Sequence, residues 1–446
     1  MLLALYFFTQ KPRKQTKTNN MKTKIFTLLI TVFLLGCNTE SKKQISNPED
    51  YNAYLNSENK NLKTAQDELA FWENKLEATP NQFPYLAKKA SAETQLFGIT
   101  GDIQHLINAE NYLIEVNKTT NYNEAGYLRA LARNYISQHR FKEALLLLKK
   151  AETNGENLAG TQKMLFDVHM ELGNNDKAKH YLEQVVDLNS FDYLIRTAKW
   201  NDHKGNLDAA IKYMEQAMAK TESSKIKSSM QWSYTNIADF YGHDGQIQKS
   251  YNYFLKALEL NPNDAYAKKG IAWIIYSYER NPEEALRILN TITTNYKAPD
   301  YYLLKAEIAE FMKDETANTK YLSQYKEAVK DSNYGDMYNA YNIELLAETN
   351  PDSALVLSKK EIENRATAQT YDLLSWAHLQ KGNTAEALKI AKEHVVNKTY
   401  EPTVLYHLAE IYKANNMEDE LKPLKEELLG ASYELGPIME TKIKQL

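Results

Sequence analysis

The stretch Gln231–Asp264, QWSYTNIADFYGHDGQIQKSYNYFLKALELNPND, sets the pattern that the rest of the chain repeats. Tyr234, Ile237, Ala238 and Tyr241 fall at i, i+3, i+4 and i+7, the apolar stripe of an amphipathic helix. Gly242, Asp244 and Gly245 break that period. A second stripe follows at Ile247, Tyr251, Phe254, Leu255 and Leu258, and it stops at Asn261-Pro262, where proline cannot continue a helix. The spacing predicts a helical hairpin. One hairpin cannot bury both of its apolar faces, so it needs neighbours.

The neighbours are present. A small residue followed four later by a larger apolar one indexes the second helix of each hairpin: Ala109/Leu113, Ala144/Leu148, Ala178/Leu182, Ala210/Met214, Ser250/Phe254, Ala285/Leu289 and Ala387/Ala391. Weaker members are Asn318/Leu322, Ala354/Ser358 and Leu421/Lys425. The steps cluster near 34 residues, the length of one hairpin in a stacked array. Glycines at 173, 205, 245 and 382 each fall five residues before an index position, where a positive φ ends the first helix. An earlier helix is predicted over Thr64–Thr79, closed by Pro80.

These residues resemble the tetratricopeptide repeat family. Its apolar positions are matched in the opening stretch by Tyr234, Ile237, Ala238, Tyr241, Ser250, Phe254, Ala257 and Pro262, with serine in place of the commoner alanine. Ala125–Asn157 and Tyr371–Val396 are further good matches, whereas the register is diffuse around Asp314–Asn364. The resemblance implies an all-α fold, a right-handed superhelical α-solenoid of about ten helical hairpins over residues 61–435, followed by a C-terminal tail, 436–446. It also implies that the first helices line a concave groove for a protein or peptide partner. Carried onto this chain, the family's groove positions are Arg129, Arg133, Lys163, Asp167, Lys199, Trp232, Asp239, Asp372 and Trp376.

Composition agrees with a packed helical array. The 446 residues are 43% hydrophobic and 25% charged, with only 15 glycines and 11 prolines, too few for an all-β fold of many turns. The formal charge of −4 is uneven: residues 1–36 hold six bases and no acid, which leaves 48 bases against 58 acids from Cys37 onward. A body of that sign is a poor counterion for phosphates, which argues against nucleic acid as a partner.

Residues 21–37, MKTKIFTLLITVFLLGC, place Lys22 and Lys24 before an eleven-residue apolar run, Ile25–Leu35. That run is too short to span a bilayer and fits a secretory signal. It ends in Leu34-Leu35-Gly36-Cys37, which resembles the lipobox of bacterial lipoproteins, with Leu35 a less usual choice at its position. The resemblance implies cleavage before Cys37, the single cysteine, and its lipidation. It implies an envelope location, with Asn38 in keeping with the outer membrane. Residues 1–20 read as an upstream extension, 21–36 as the signal peptide and 37–60 as a flexible tether. Two or three acyl chains at ~0.8 kcal/mol per buried CH₂ make a lasting membrane anchor.

No catalytic, nucleotide-binding or metal motif is present, and the nine histidines are scattered, so neither an enzyme nor a cofactor is expected. The reading is a lipid-anchored scaffold or adaptor that binds a protein or peptide. The alternative is an envelope glycan- or nutrient-binding lipoprotein of the starch-utilisation (SusD-like) type, for which the tyrosines crowded between Tyr251 and Tyr302 would supply a stacking surface.

Overall fold

A computed structural model describes residues 44–446. The upstream extension, the signal segment and Cys37 lie outside the described residues. Helix is the regular structure of the described chain, joined by short turns. The ends come first. Helix α1 (Pro48–Leu55) and helix α2 (Lys60–Ala78) precede the array. Ten antiparallel hairpins follow. They are α3 (Pro84–Thr100) with α4 (Ile103–Thr119), α5 (Ala125–Ser137) with α6 (Phe141–Asn154), and α7 (Leu158–Glu171) with α8 (Asn175–Gln184). Next are α9 (Phe191–His203) with α10 (Leu207–Ser224), α11 (Lys227–His243) with α12 (Ile247–Leu260), and α13 (Ala265–Trp273) with α14 (Pro282–Ile292). The last four are α15 (Asp300–Phe311) with α16 (Glu315–Ala328), α17 (Asn339–Thr349) with α18 (Pro351–Asn364), α19 (Ala368–Gln380) with α20 (Thr384–His394), and α21 (Pro402–Ala414) with α22 (Glu418–Gly430). Helix α23 (Ser432–Lys444) closes the chain.

The small index residues are what lets the hairpins close. Ala109, Ala144, Ala178, Ala210, Ala285, Ala354 and Ala387 are all fully buried, so the paired helices approach without an intervening side chain. The large residues of the opening stretch, Ile237, Tyr241, Phe254 and Leu258, fill the space to the next hairpin in one continuous core. First helices of successive hairpins also touch one another, as α5 does α7, α11 does α13, and α17 does α19. They therefore line the inner face of the superhelix.

The coil is tight enough for its second turn to rest on its first. The Lys297 amide donates to the Thr100 carbonyl at 2.7 Å, and its ammonium reaches Asp102, 195 residues away in sequence, at 2.7 Å. Lys142 donates to the Glu363 carbonyl, and Arg365 stands 3.6 Å from Glu171. Each contact joins the turn inside an early hairpin to the loop ahead of a hairpin about six units later. Gly173 and Gly205 serve this seam as well as their own turns. Both have positive φ, +71° and +69°, and a Cβ would sit 2.6 Å from the Ala366 carbonyl oxygen or 2.8 Å from the Tyr400 ring. The seam also explains why the repeat pattern fades near Asp314–Asn364. There Tyr334, Met337 and Tyr338 pack with Phe97, Ile103 and Leu106 across the seam, so they answer to a distant partner and not to the repeat.

Three expected segments differ. Thr64–Thr79 extends to Lys60–Ala78, because Asn59 caps it by accepting from the Leu62 amide. The expected tether 37–60 is folded from residue 44: Tyr51 is 1% exposed and donates to Glu284 at 2.7 Å. The amides of Ile45 and Ser46 both donate to Glu279, at 2.7 and 2.5 Å. The segment looked polar and aperiodic because it binds through its backbone and single tyrosines. The expected tail, 436–446, is most of α23, whose Ile443 is fully buried.

Candidate functional site

The inner face has two differently built halves. Along α5, α7 and α9 the groove positions are spent on their neighbours. Arg129 donates to the Glu156 carbonyl at 2.7 Å and to Thr161 at 3.1 Å. Lys163 reaches Asp192 at 3.2 Å, Asp167 accepts from Arg196 at 2.5 Å, and Lys199 reaches Glu171 at 2.9 Å. Asp167 and Glu171 are buried. The last three are opposite charges 28 or 29 residues apart, about one helical turn short of the repeat, on adjacent first helices. Of the expected groove residues in this half, Arg133 alone is exposed with its side chain unpaired among the described residues. The groove assignment of Arg129, Lys163, Asp167 and Lys199 is thereby corrected: they are rungs between repeats.

Trp232 is half-buried, edge-on to Phe191 at 5.7 Å, a packing residue between α9 and α11. Asp239 accepts from the Tyr266 hydroxyl at 2.8 Å, and burial pushes its carboxyl up to about 6.

Further along, the inner face holds acids with few cations. Asp372, 2% exposed, lies 2.7 Å from His407 Nδ1, and its other oxygen has no hydrogen-bond partner among the described residues. Trp376 is stacked on the His407 ring at 4.1 Å and is buried, so it is unavailable to a ligand. Burial pulls the His407 imidazolium down, but the Asp372 carboxylate more than offsets this and its pKa is raised. Glu344 is pushed up by burial, and Glu307 is pushed up to about 7 by burial, with Tyr276 donating to it at 3.1 Å.

Between these halves the first helix of the sixth hairpin changes form. Asp264 starts α13 by accepting from the amides of Tyr266 and Ala267. After Trp273 the helix widens into a π turn, Ile274–Tyr278, and Arg280 follows with φ +58°. Ile274, Ile275 and Tyr276 are all 0% exposed. Three consecutive residues span about 200° of a helix, so both of its sides must be covered. The hairpin core covers one side and α23 lies along the other.

Helix α23 makes polar contacts here. The Tyr433 carbonyl accepts from Ser277 Oγ at 2.6 Å and from the Trp273 indole N–H at 3.2 Å. His243 Nδ1 stands 2.8 Å from a Glu434 carboxylate oxygen, off the line of a hydrogen bond. Arg280 pairs with Glu440, which Lys444 also reaches at 2.7 Å. The Tyr433 ring lies against Gly242. Gly436 breaks α23 with φ 81° and ψ 169°, and its Cα faces Glu307 and the Trp273 ring. π turns recur at functional sites. This one presents two hydrogen-bond donors and the Arg280 guanidinium towards a peptide segment. Sequence reasoning missed it because an extra residue in one turn leaves no mark on a 34-residue register.

Among the described residues no group of three His, Cys, Asp or Glu side chains could hold a metal ion, and no helix is long and apolar enough to cross a membrane. The crowded tyrosines belong to the core and the N-terminal arm: Tyr251, Tyr276 and Tyr301 are buried, and Tyr251 donates to Asp50 at 3.1 Å.

Comparison with known proteins follows the same lines. Two tetratricopeptide repeat profiles match, one over residues 163–224 and one over 233–264. No curated protein matches. Among solved structures, a tetratricopeptide repeat protein from Parabacteroides merdae is 15% identical, with 55% of this chain and 93% of that chain covered and a TM-score of 0.38. Pseudomonas aeruginosa pilF is 16% identical, with 49% and 97% covered and a TM-score of 0.36. The human IFIT1 dimer with m7Gppp-AAAA is 16% identical, with 73% and 76% covered and a TM-score of 0.45. The matched profiles, the glycine turns and the stacked hairpins agree: the chain carries tetratricopeptide repeats over residues 163–224 and 233–264, within an all-α solenoid of stacked hairpins.

Proposed function

We propose that this protein is a lipid-anchored adaptor of the bacterial cell envelope, held through Cys37 at the outer membrane, that binds a protein partner on the inner face of its solenoid. One observation carries the reading: the inner face already seats a helical segment of the chain itself, by backbone and carboxylate recognition at the π turn. A surface that holds one such segment is suited to another. The buried tyrosines weigh against the glycan-binding alternative, and the acidic body weighs against nucleic acid. The tetratricopeptide fold is typically a scaffold without catalysis, and a binding role requires no cofactor.

Two measurements test the proposal. Replacing Cys37→Ala should move the protein from the membrane fraction to the soluble one; retention in the membrane would remove the anchor from the reading. Affinity capture from envelope extracts, with the protein starting at residue 38, should retain a discrete protein. Retention by oligosaccharide columns alone would favour the nutrient-binding alternative.

A further inference from the structure

Helix α23 has two faces with different chemistry. Leu435, Ile443 and Leu446 join the core of the last hairpins, as a terminal cap must, since the final hairpin would otherwise expose its apolar side. A cap needs nothing more. Yet Tyr433, Glu434 and Glu440 face the other way, onto α11 and the π turn of an earlier coil, and none of their polar contacts serves the last hairpin. The receiving groups form a matched set. A serine hydroxyl and an indole N–H converge on one carbonyl, and a histidine and an arginine meet two carboxylates six residues apart. The tyrosine ring lies over Gly242, where a Cβ would stand 2.9 Å from it.

We propose that this pocket is a recognition site for an acidic peptide segment with a tyrosine directly before a carboxylate, and that α23 is its intramolecular occupant. The proposal rests on the adaptor reading and names the chemistry of the partner. The partner is specified by what the site now holds: an aromatic ring, a free backbone carbonyl and two acids. Its release is built into the helix. Gly436 interrupts α23, so Ser432–Leu435 and Pro437–Lys444 are separate helical pieces joined at a non-helical residue. Tyr433 and Glu434 can leave the pocket by rotation at Gly436, drawing Leu435 out of the terminal core, while Glu440 and Ile443 keep the second piece in place. A covalently held occupant competes at an effective concentration of order millimolar, so an outside segment gains access by outbidding it or when it is weakened.

The test uses the full-length chain and a fluorescently labelled synthetic peptide of residues 431–446. Binding is compared between the natural chain and a Tyr433→Ala, Glu440→Gln double variant. The double variant should bind the peptide at least tenfold more tightly, and adding Arg280→Glu should reverse that gain by tenfold or more. Equal binding by the natural chain and the double variant, or binding indifferent to Arg280→Glu, would overturn the proposal. Should the double variant fail to fold, hydrogen exchange on the natural chain decides. The amides of 432–435 should exchange at least tenfold faster than those buried in α21, and exchange of both only together would make α23 a cap and nothing else. Neither readout involves an envelope partner, so its failure is distinct from failure of the capture experiment.

Discussion

The inner face along α5–α9 and the inner face along α15–α21 occupy equivalent places in the repeat, yet they handle charge in opposite ways. In the first, acids and bases one repeat apart meet as close pairs, Asp167 with Arg196 and Glu171 with Lys199. In the second, Glu307, Glu344 and Asp372 have raised pKa values because burial is not matched by enough positive charge. A closed ladder fixes the stagger between hairpins and leaves little to recognise a ligand. An undercompensated surface does the reverse: it weakens the fold as carboxylates ionise and retains a field. The difference teaches that repeat position alone does not assign a groove residue its role; the residue one repeat away decides it.

Four substitutions and one control bear on this contrast. Arg196→Ala leaves Asp167 buried without its partner and should cost about 3 kcal/mol or more, read from urea unfolding at pH 7. A loss near zero would mean that the ladder is not structural. His407→Gln should cost roughly 2 kcal/mol at pH 6. Because the folded pKa of His407 is raised, its contribution is complete below its unfolded value and fades as pH rises through the folded one. The cost of the substitution should therefore shrink between pH 6 and pH 8, as thermal melts across that range would report.

Glu307→Gln should have the opposite sign. Its folded value of about 7 exceeds the unfolded ~4.3, so the natural chain loses stability as pH rises between them. The variant should gain roughly 1 kcal/mol above pH 7, and the gain should vanish by pH 4. A constant difference across that range would show that Glu307 does not titrate as its surroundings require. Smallest of all, Arg133→Glu should change stability by less than about 0.5 kcal/mol, since its exposed side chain has no ion pair to lose. Lys163→Glu, in contact with Asp192, makes the natural control.

The repeat was legible because packing enforces it. Small residues such as Ala144 and Ala210 must recur wherever two helices touch, and Gly173 and Gly205 must recur wherever a hairpin turns. The groove was less legible. Arg129, Lys163, Asp167 and Lys199 hold the family's groove positions, but their partners lie on the neighbouring repeat. The spacing of 28 or 29 between opposite charges is the signal that would have revealed this for three of them. Contacts made by the coil as a whole carry no such signal. Arg365 near Glu171, Tyr334 near Ile103 and Arg280 with Glu440 depend on the pitch of the superhelix, which no local period encodes. The polar segment 44–57 looks loose in sequence for a related reason: Glu279, which grips it, is more than 230 residues away.

That grip sets a length scale. Gln44 stands only seven positions beyond Cys37, a contour of about 25 Å at full stretch. A compact chain of this size has a radius of gyration near 22 Å. A leash of about the same length as that radius keeps its load near the point of attachment. On a chain lipidated at Cys37, the fifth and sixth hairpins, which receive residues 45–47 at Tyr251 and Glu279, would stay close to the bilayer. The π turn adjoins Glu279, so a partner reaching it would approach along the membrane plane, and the search for that partner would be confined to two dimensions.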